Sequence, residues 1–170
     1  MGNFLGLVLL SAVAILKSTL MPHLRVLGGA PDLMLVMVVS WALVAPYQEA
    51  FFWGFAGGVA QDLLSGAPLG TSALALLTVA FLGNLLQGQL NRSNLVIPLV
   101  VTLIASFVAP LITLSVLALT GHNIDWLYNL AYVVLPSAGL NLVLILPVYI
   151  IMVRLYERLN PRLETFPTGN

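Results

Sequence analysis

The chain reads as an all-α polytopic membrane bundle of about six transmembrane helices, and three observations predict it. Of its 170 residues, 60% are hydrophobic and only 7% are charged, whereas a soluble domain carries roughly 25% charged residues. The charges lie far apart, so that 63–91, 93–124 and 126–153 contain none. Turn signals between the apolar stretches are short, which leaves no room for a separate soluble domain. So few charges cannot cover a water-facing surface, and the bilayer is the solvent that fits. Formal net charge is zero, so no global field points to nucleic acid. The chain has no cysteine, which excludes disulfides, thiolate chemistry and Cys-ligated metal or iron–sulfur sites.

The elements follow from the charges and turns. Phe4 to Leu16 is an uncharged run with the look of a signal-peptide core. Met1 to Asn3 lack a basic residue and Lys17 ends the run without a cleavage site, so a retained first helix is expected over 3–21. Ala30-Pro31-Asp32 opens the second segment, 31–46, with Pro in the first turn and an acid at the positive helix end. Ala45-Pro46-Tyr47 breaks it and starts the third, 49–65. The sequence Ser65-Gly66-Ala67-Pro68-Leu69-Gly70 is turn chemistry and separates it from the fourth, 71–90. The fifth and sixth cover 94–120 and 126–155, each long enough for the roughly 20 apolar residues of a span. Segments two and three are short for full spans, and a re-entrant pair is the alternative. Residues 1–155 form a single transmembrane domain and 156–170 a short basic tail.

Orientation follows from Lys and Arg. With the N-terminus inside and six spans, the inner side holds Arg92, Arg154, Arg158 and Arg162, and the outer side holds Arg25 with Lys17 near it. The positive-inside rule favours this placement, with both termini cytoplasmic. Arg154, Arg158 and Arg162 recur every four residues and would line a juxtamembrane helix beside anionic lipid headgroups, at about 1 kcal/mol each.

The most informative stretch runs from Gly54 to Gly70. Gly54, Gly57 and Gly58 give segment three small faces, and Gly54 with Gly58 forms a small-xxx-small ridge. Packing inside the chain is the first reading of that ridge, and contact with another protein's helix is the functional one. Asp62 is expected at the interface, capping the turn through backbone N–H groups around Ser65 and Gly66, with a proton or ion site as the sharper alternative. Asp32 is read the same way. Pro68 stiffens the turn, and Gly66 and Gly70 expose backbone there, so Ser65–Gly70 is the candidate partner surface. Lys17 is expected to snorkel to the outer interface. Asn84, Ser106, Thr113, Asn129 and Asn141 are expected to hydrogen-bond between helices at about 0.6 kcal/mol each. Pro110, Pro136 and Pro147 should kink or open their helices.

Enzyme readings fail on inventory. Both histidines, His23 and His122, fall in expected outer loops, so neither can serve an intramembrane serine nucleophile, and no third ligand stands at metal spacing. No HExxH pattern and no phosphate loop are present. No catalytic, cofactor or metal residues are assigned.

The pattern resembles the rod shape-determining protein MreD family. The likeness rests on the short segments, on Pro31-Asp32-Leu33 before an apolar helix, and on the glycine, Asp-Leu, Ser-Gly and Pro-Leu-Gly elements of Gly54 to Gly70. Asn141, Pro147 and the basic exit at Arg154 in the last helix complete it. The resemblance implies a non-enzymatic subunit of the bacterial cell-elongation machinery in the cytoplasmic membrane. It implies association with MreC, and through it with MreB and the peptidoglycan synthases RodA and PBP2. A further likeness, to the substrate-capturing S components of energy-coupling-factor vitamin transporters, supplies the alternative. Those dock through an Ala-x-x-x-Ala on the first helix, where this chain has Ala14 and Ser18.

Overall fold

The structure, a computed structural model, describes residues 2–20, 28–87 and 95–160, with side chains in the first stretch from 6 to 19. Among the described residues there are six helices. They are α1 (Gly2–Leu20), α2 (Leu33–Val44), α3 (Tyr47–Ser65), α4 (Thr71–Gln87), α5 (Val96–Leu119) and α6 (Trp126–Leu159). These bounds lie within a few residues of the expected segments. Arg25, His23, Arg92 and Arg162 lie outside the described residues.

Helix α2 is the axis of the bundle. Every residue from Met34 to Leu43 is buried, and the helix packs against all five others. A helix apolar on every face is stable only when surrounded, and LMLVMVVSWALV is such a sequence. Its 12 residues make about 18 Å, short of the ~30 Å hydrocarbon core. Segment three differs from expectation. It gains Tyr47 and Gln48 because Pro46, extended at φ −60° and ψ 154°, serves as the N-cap. The resulting 19 residues span about 28 Å.

Two helices, α5 and α6, are long and apolar enough to cross a membrane, and only 28% of either span is buried in the bundle. The remaining faces present Val100, Leu103, Ile104, Val143 and Ile151 outward. Large exposed apolar faces of this kind fit lipid and not water.

The helices alternate in direction, which gives the bundle two unlike ends. The hairpin end holds the α3–α4 turn and the starts of α2 and α6. The tail end holds the α2–α3 turn and the exposed Arg154 and Arg158. At the tail end the indoles of Trp41 and Trp53 stack at 4.3 Å, with Tyr156 edge-on to Trp41 at 5.7 Å. Gly6 of α1 forms the notch for Trp53, because a Cβ there would come within 2.6 Å of the indole nitrogen.

Helices α3 and α4 pack together more extensively than any other pair among the described residues, and glycine is the reason. A Cβ on Gly58 would lie 2.2 Å from the Ala73 Cα, and one on Gly54 would lie 2.9 Å from the Leu76 carbonyl oxygen. Gly57 points elsewhere, towards Met34 of α2 and Leu10 of α1. The ridge is therefore filled inside the chain.

Candidate functional site

The polar residues of the bundle gather at the hairpin end. Asp32 is the N-cap of α2 and accepts a hydrogen bond from the Leu35 N–H at 3.1 Å. Its other oxygen stands 2.7 Å from Lys17 Nζ. Lys17 thus pairs with a carboxylate at the start of α2. The Asp32 backbone N–H donates to Asn141 Oδ1 at 2.7 Å, and Asn141 Nδ2 donates to Ser106 Oγ at 3.0 Å. Asn141 and Ser106 are both buried. One chain of contacts therefore joins α1, α2, α5 and α6, and it includes Asp32 and Asn141, two of the residues that carry the family resemblance.

The same strip continues one turn along α6. The Ala30 N–H donates to Ser137 Oγ at 3.1 Å, and Ser137 Oγ donates to the Val133 carbonyl at 2.6 Å. Ser137 and Asn141 lie four residues apart, about 6 Å along a helix. Ala30 and Asp32 lie two apart with Pro31, which has no N–H, between them, so Ser137 and Asn141 take the two N–H groups on either side of it. Gly29 permits the approach, since a Cβ there would lie 2.7 Å from the Ser137 nitrogen.

Asp62 is buried, with 2% of its surface exposed, and its carboxylate is fully engaged. It accepts from the Gly70 N–H at 2.8 Å and the Ser72 N–H at 2.9 Å. These are the orphan donors of the α4 N-terminus, where a negative charge also meets the positive end of the helix dipole. The expected donors near Ser65 and Gly66 are not the ones used. Gly66 ends α3 in the left-handed conformation at φ 69°, which turns the chain back and brings residue 70, not 66, opposite Asp62. Within the turn, Ser65 Oγ accepts from the Ala67 N–H at 3.4 Å, and Thr71 Oγ1 donates to the Pro68 carbonyl at 2.7 Å. Leu63, Leu64 and Leu69 around it are exposed.

Between these two networks lies a cavity of about 210 Å³, bordered by Asp32, Gln61, Ser72, Thr113, Asn129 and Val133 among others. One wall is π-helical, from Asn129 to Val134. Pro136, one residue past its end, has no N–H to continue an α-helical ladder, which fits the widened turn. Pro110 of α5 also borders the cavity. Among the described residues no group of three or more His, Asp or Glu side chains could hold a metal. His122 makes a 3.1 Å contact with Thr120 Oγ1, and Asp125 caps the start of α6 through the Tyr128 N–H at 3.0 Å.

A family model described as rod shape-determining protein MreD matches residues 1–159. The chain belongs to the MreD family. That membership gives it a role in rod-shape determination, in a membrane protein family of scaffold type. No curated protein and no solved structure matches the chain. The MreD-like elements come together in space: Pro31-Asp32-Leu33 meets Asn141, and the Asp62 to Gly70 block closes on itself. Sequence reasoning missed Gln61 and Ser137. Ser137 was findable, because it sits one helical turn before Asn141 on the same face.

Proposed function

We propose that the chain is a scaffold subunit of the bacterial elongation machinery. It crosses the cytoplasmic membrane six times with both termini inside, so the hairpin end is the outer end. It binds an MreC-type single-pass partner, and through it supports MreB and the RodA and PBP2 synthases in peptidoglycan synthesis. The observation that carries this reading is the MreD family match over residues 1–159. It is supported by the use of the polar side chains, which cap helices and tie them together.

The partner surface we infer is the outer α3–α4 turn, Ser65–Gly70, with exposed Leu63, Leu64 and Leu69. Gly54, Gly57 and Gly58 serve this surface indirectly, since their small faces hold α3 against α4, α2 and α1. Pro68 and the Asp62 cap keep the turn rigid, so contact loses less ordering entropy. The exposed Arg154 and Arg158, with Arg162 beyond them, lie against anionic lipid at the inner side.

Co-purification tests this. Leu63→Ser with Leu69→Ser should reduce recovery of the MreC-type partner at least about tenfold, the scale of one or two lost apolar anchors, while the protein still inserts. Undiminished recovery would remove the turn from the interface. Cysteines at Asn123 and Thr168 should be labelled and protected, respectively, by an impermeant thiol reagent in whole cells. The reverse pattern would invert the topology. Tight binding of a vitamin by the purified chain alone would replace the scaffold reading with that of a transporter S component.

A further inference from the structure

We propose that the cavity at the hairpin end is a binding site for a small, uncharged, ring-sized ligand that carries a hydrogen-bond donor. Size comes first. The cavity holds about 210 Å³, more than the ~150 Å³ that accepts benzene in an apolar protein interior and less than the ~300 Å³ at which sites for drug-sized molecules begin. One ring with one or two substituents fits that interval.

Charge comes second. The bordering ionised group is Asp32, and Lys17 at 2.7 Å already balances it. A charged ligand would enter a partly desolvated space with no counter-ion of its own, which is costly. Ser72 gives its backbone N–H to Asp62 and leaves only its hydroxyl, which can donate or accept, at the cavity.

Hydrogen-bond polarity comes third. Gln61 borders the cavity, and its Oε1 is buried without a partner. Its terminal torsion is soft, so the amide can turn that oxygen to an incoming donor. Thr113 gives its proton to the Ala109 carbonyl at 3.0 Å, which leaves its oxygen to accept. Asn129 uses Nδ2 on the Asp125 carbonyl at 2.8 Å, which leaves Oδ1 to accept. Three side chains on three helices therefore offer acceptors, while apolar Leu76 and Val133 supply the rest of the wall. An acyl chain would satisfy none of the acceptors, and an N–H or O–H on a ring would. The π-helical wall fits the same reading, since such widened turns are frequent at functional sites. The inference does not depend on the scaffold reading and says nothing about the α3–α4 turn.

The test uses the full chain in detergent micelles and fluorine NMR titration with 4-fluorophenol and with fluorobenzene, which has the same ring and no donor. Saturable binding of 4-fluorophenol is expected, about tenfold tighter than fluorobenzene, the scale of one hydrogen bond to an otherwise unpaired buried acceptor. Gln61→Met should remove most of that preference, and Thr113→Val part of it. Leu114→Trp, which fills the cavity, should abolish saturable binding of both probes. Each variant is checked for a cooperative thermal transition, and Thr113→Val carries the comparison if Gln61→Met does not fold. Equal affinity for the two probes, non-saturable partition like that of empty micelles, or a full preference kept in the folded acceptor variants would each overturn the proposal.

Discussion

The two ends of the bundle solve the same problem with different chemistry. At the hairpin end, helices begin, and their orphan N–H groups meet carboxylates: Asp32 at α2, Asp62 at α4 and Asp125 at α6. At the tail end α2 stops, and its last carbonyls meet amides. Asn84 Nδ2 donates to the Ala42 and Ala45 oxygens, and Gln87 Nε2 donates to Ala45 at 2.9 Å. Acids at helix starts and donors at helix ends are what the dipole and the unpaired backbone groups require. Where such groups are shut away from water, as Ser72 is, an unpaired one is costly, whereas the Asp125 cap at α6 is exposed. Beside these amides the Trp41–Trp53 stack packs by shape, and both indole N–H groups are without a partner among the described residues. A buried carboxylate in such a chain is first a cap, whereas the buried amide oxygen of Gln61 caps nothing.

The largest effect should come from breaking the α3–α4 seam that both ends share. Gly58→Leu must push backbone apart, because even a Cβ meets the Ala73 Cα at 2.2 Å. A loss of about 3 kcal/mol or more is expected, read as failure to accumulate in membranes. Gly58→Ala should also destabilise, by about 1–3 kcal/mol. A wild-type thermal transition for Gly58→Ala would mean that α3 and α4 can separate freely.

Next comes the hairpin-end cap. Asp62→Ala strands the buried Ser72 N–H and the part-buried Gly70 N–H and removes the carboxylate from the α4 N-terminus, at a cost of about 2–3 kcal/mol. Asp62→Asn keeps one acceptor and should lose about half as much. Thermal unfolding of the purified chain separates the two. If both variants lose equally, charge and not hydrogen bonding holds the turn.

Much of this architecture is legible in the sequence, and the reason is local chemistry. Pro31-Asp32 marks the start of α2 because proline and an acid belong there, and Ser65–Gly70 marks a turn because glycine permits the left-handed residue that ends α3. What the sequence hides is long-range. That Asp62 reaches Gly70 and Ser72 depends on how the turn folds back. That Lys17 pairs with Asp32 depends on the placement of α1. The cavity is formed by side chains from α2 to α6, and no single stretch announces it. The polar residues expected to bridge helices divide accordingly: Asn84, Ser106 and Asn141 do so, whereas Thr113 and Asn129 bond within their own helix or its cap.

The tail-end amides should matter less than the hairpin-end acids. Asn84→Leu removes bonds of 3.2 and 3.3 Å to Ala42 and Ala45, while Gln87 continues to serve Ala45 at 2.9 Å. About 1 kcal/mol is expected in a thermal transition followed by tryptophan emission. A loss as large as that of Asp62→Ala would erase the distinction between the ends.

The smallest effect should come from a glycine whose constraint is conformational and not steric. Gly66 ends α3 at φ 69°, and a Cβ there would meet nothing within 4 Å. Gly66→Ala should therefore cost only the left-handed penalty of an L-residue, about 1 kcal/mol, with no change in how α3 meets α4. Gly58→Ala lies two helical turns away and should cost more, although it sits in ordinary helical backbone. Measuring both in one chain separates the two uses of glycine: permission to bend and permission to approach. Gly66→Asn sharpens the comparison, because Asn tolerates the left-handed region better than Ala. It should recover part of the Gly66→Ala loss, an outcome that steric crowding at the turn could not produce.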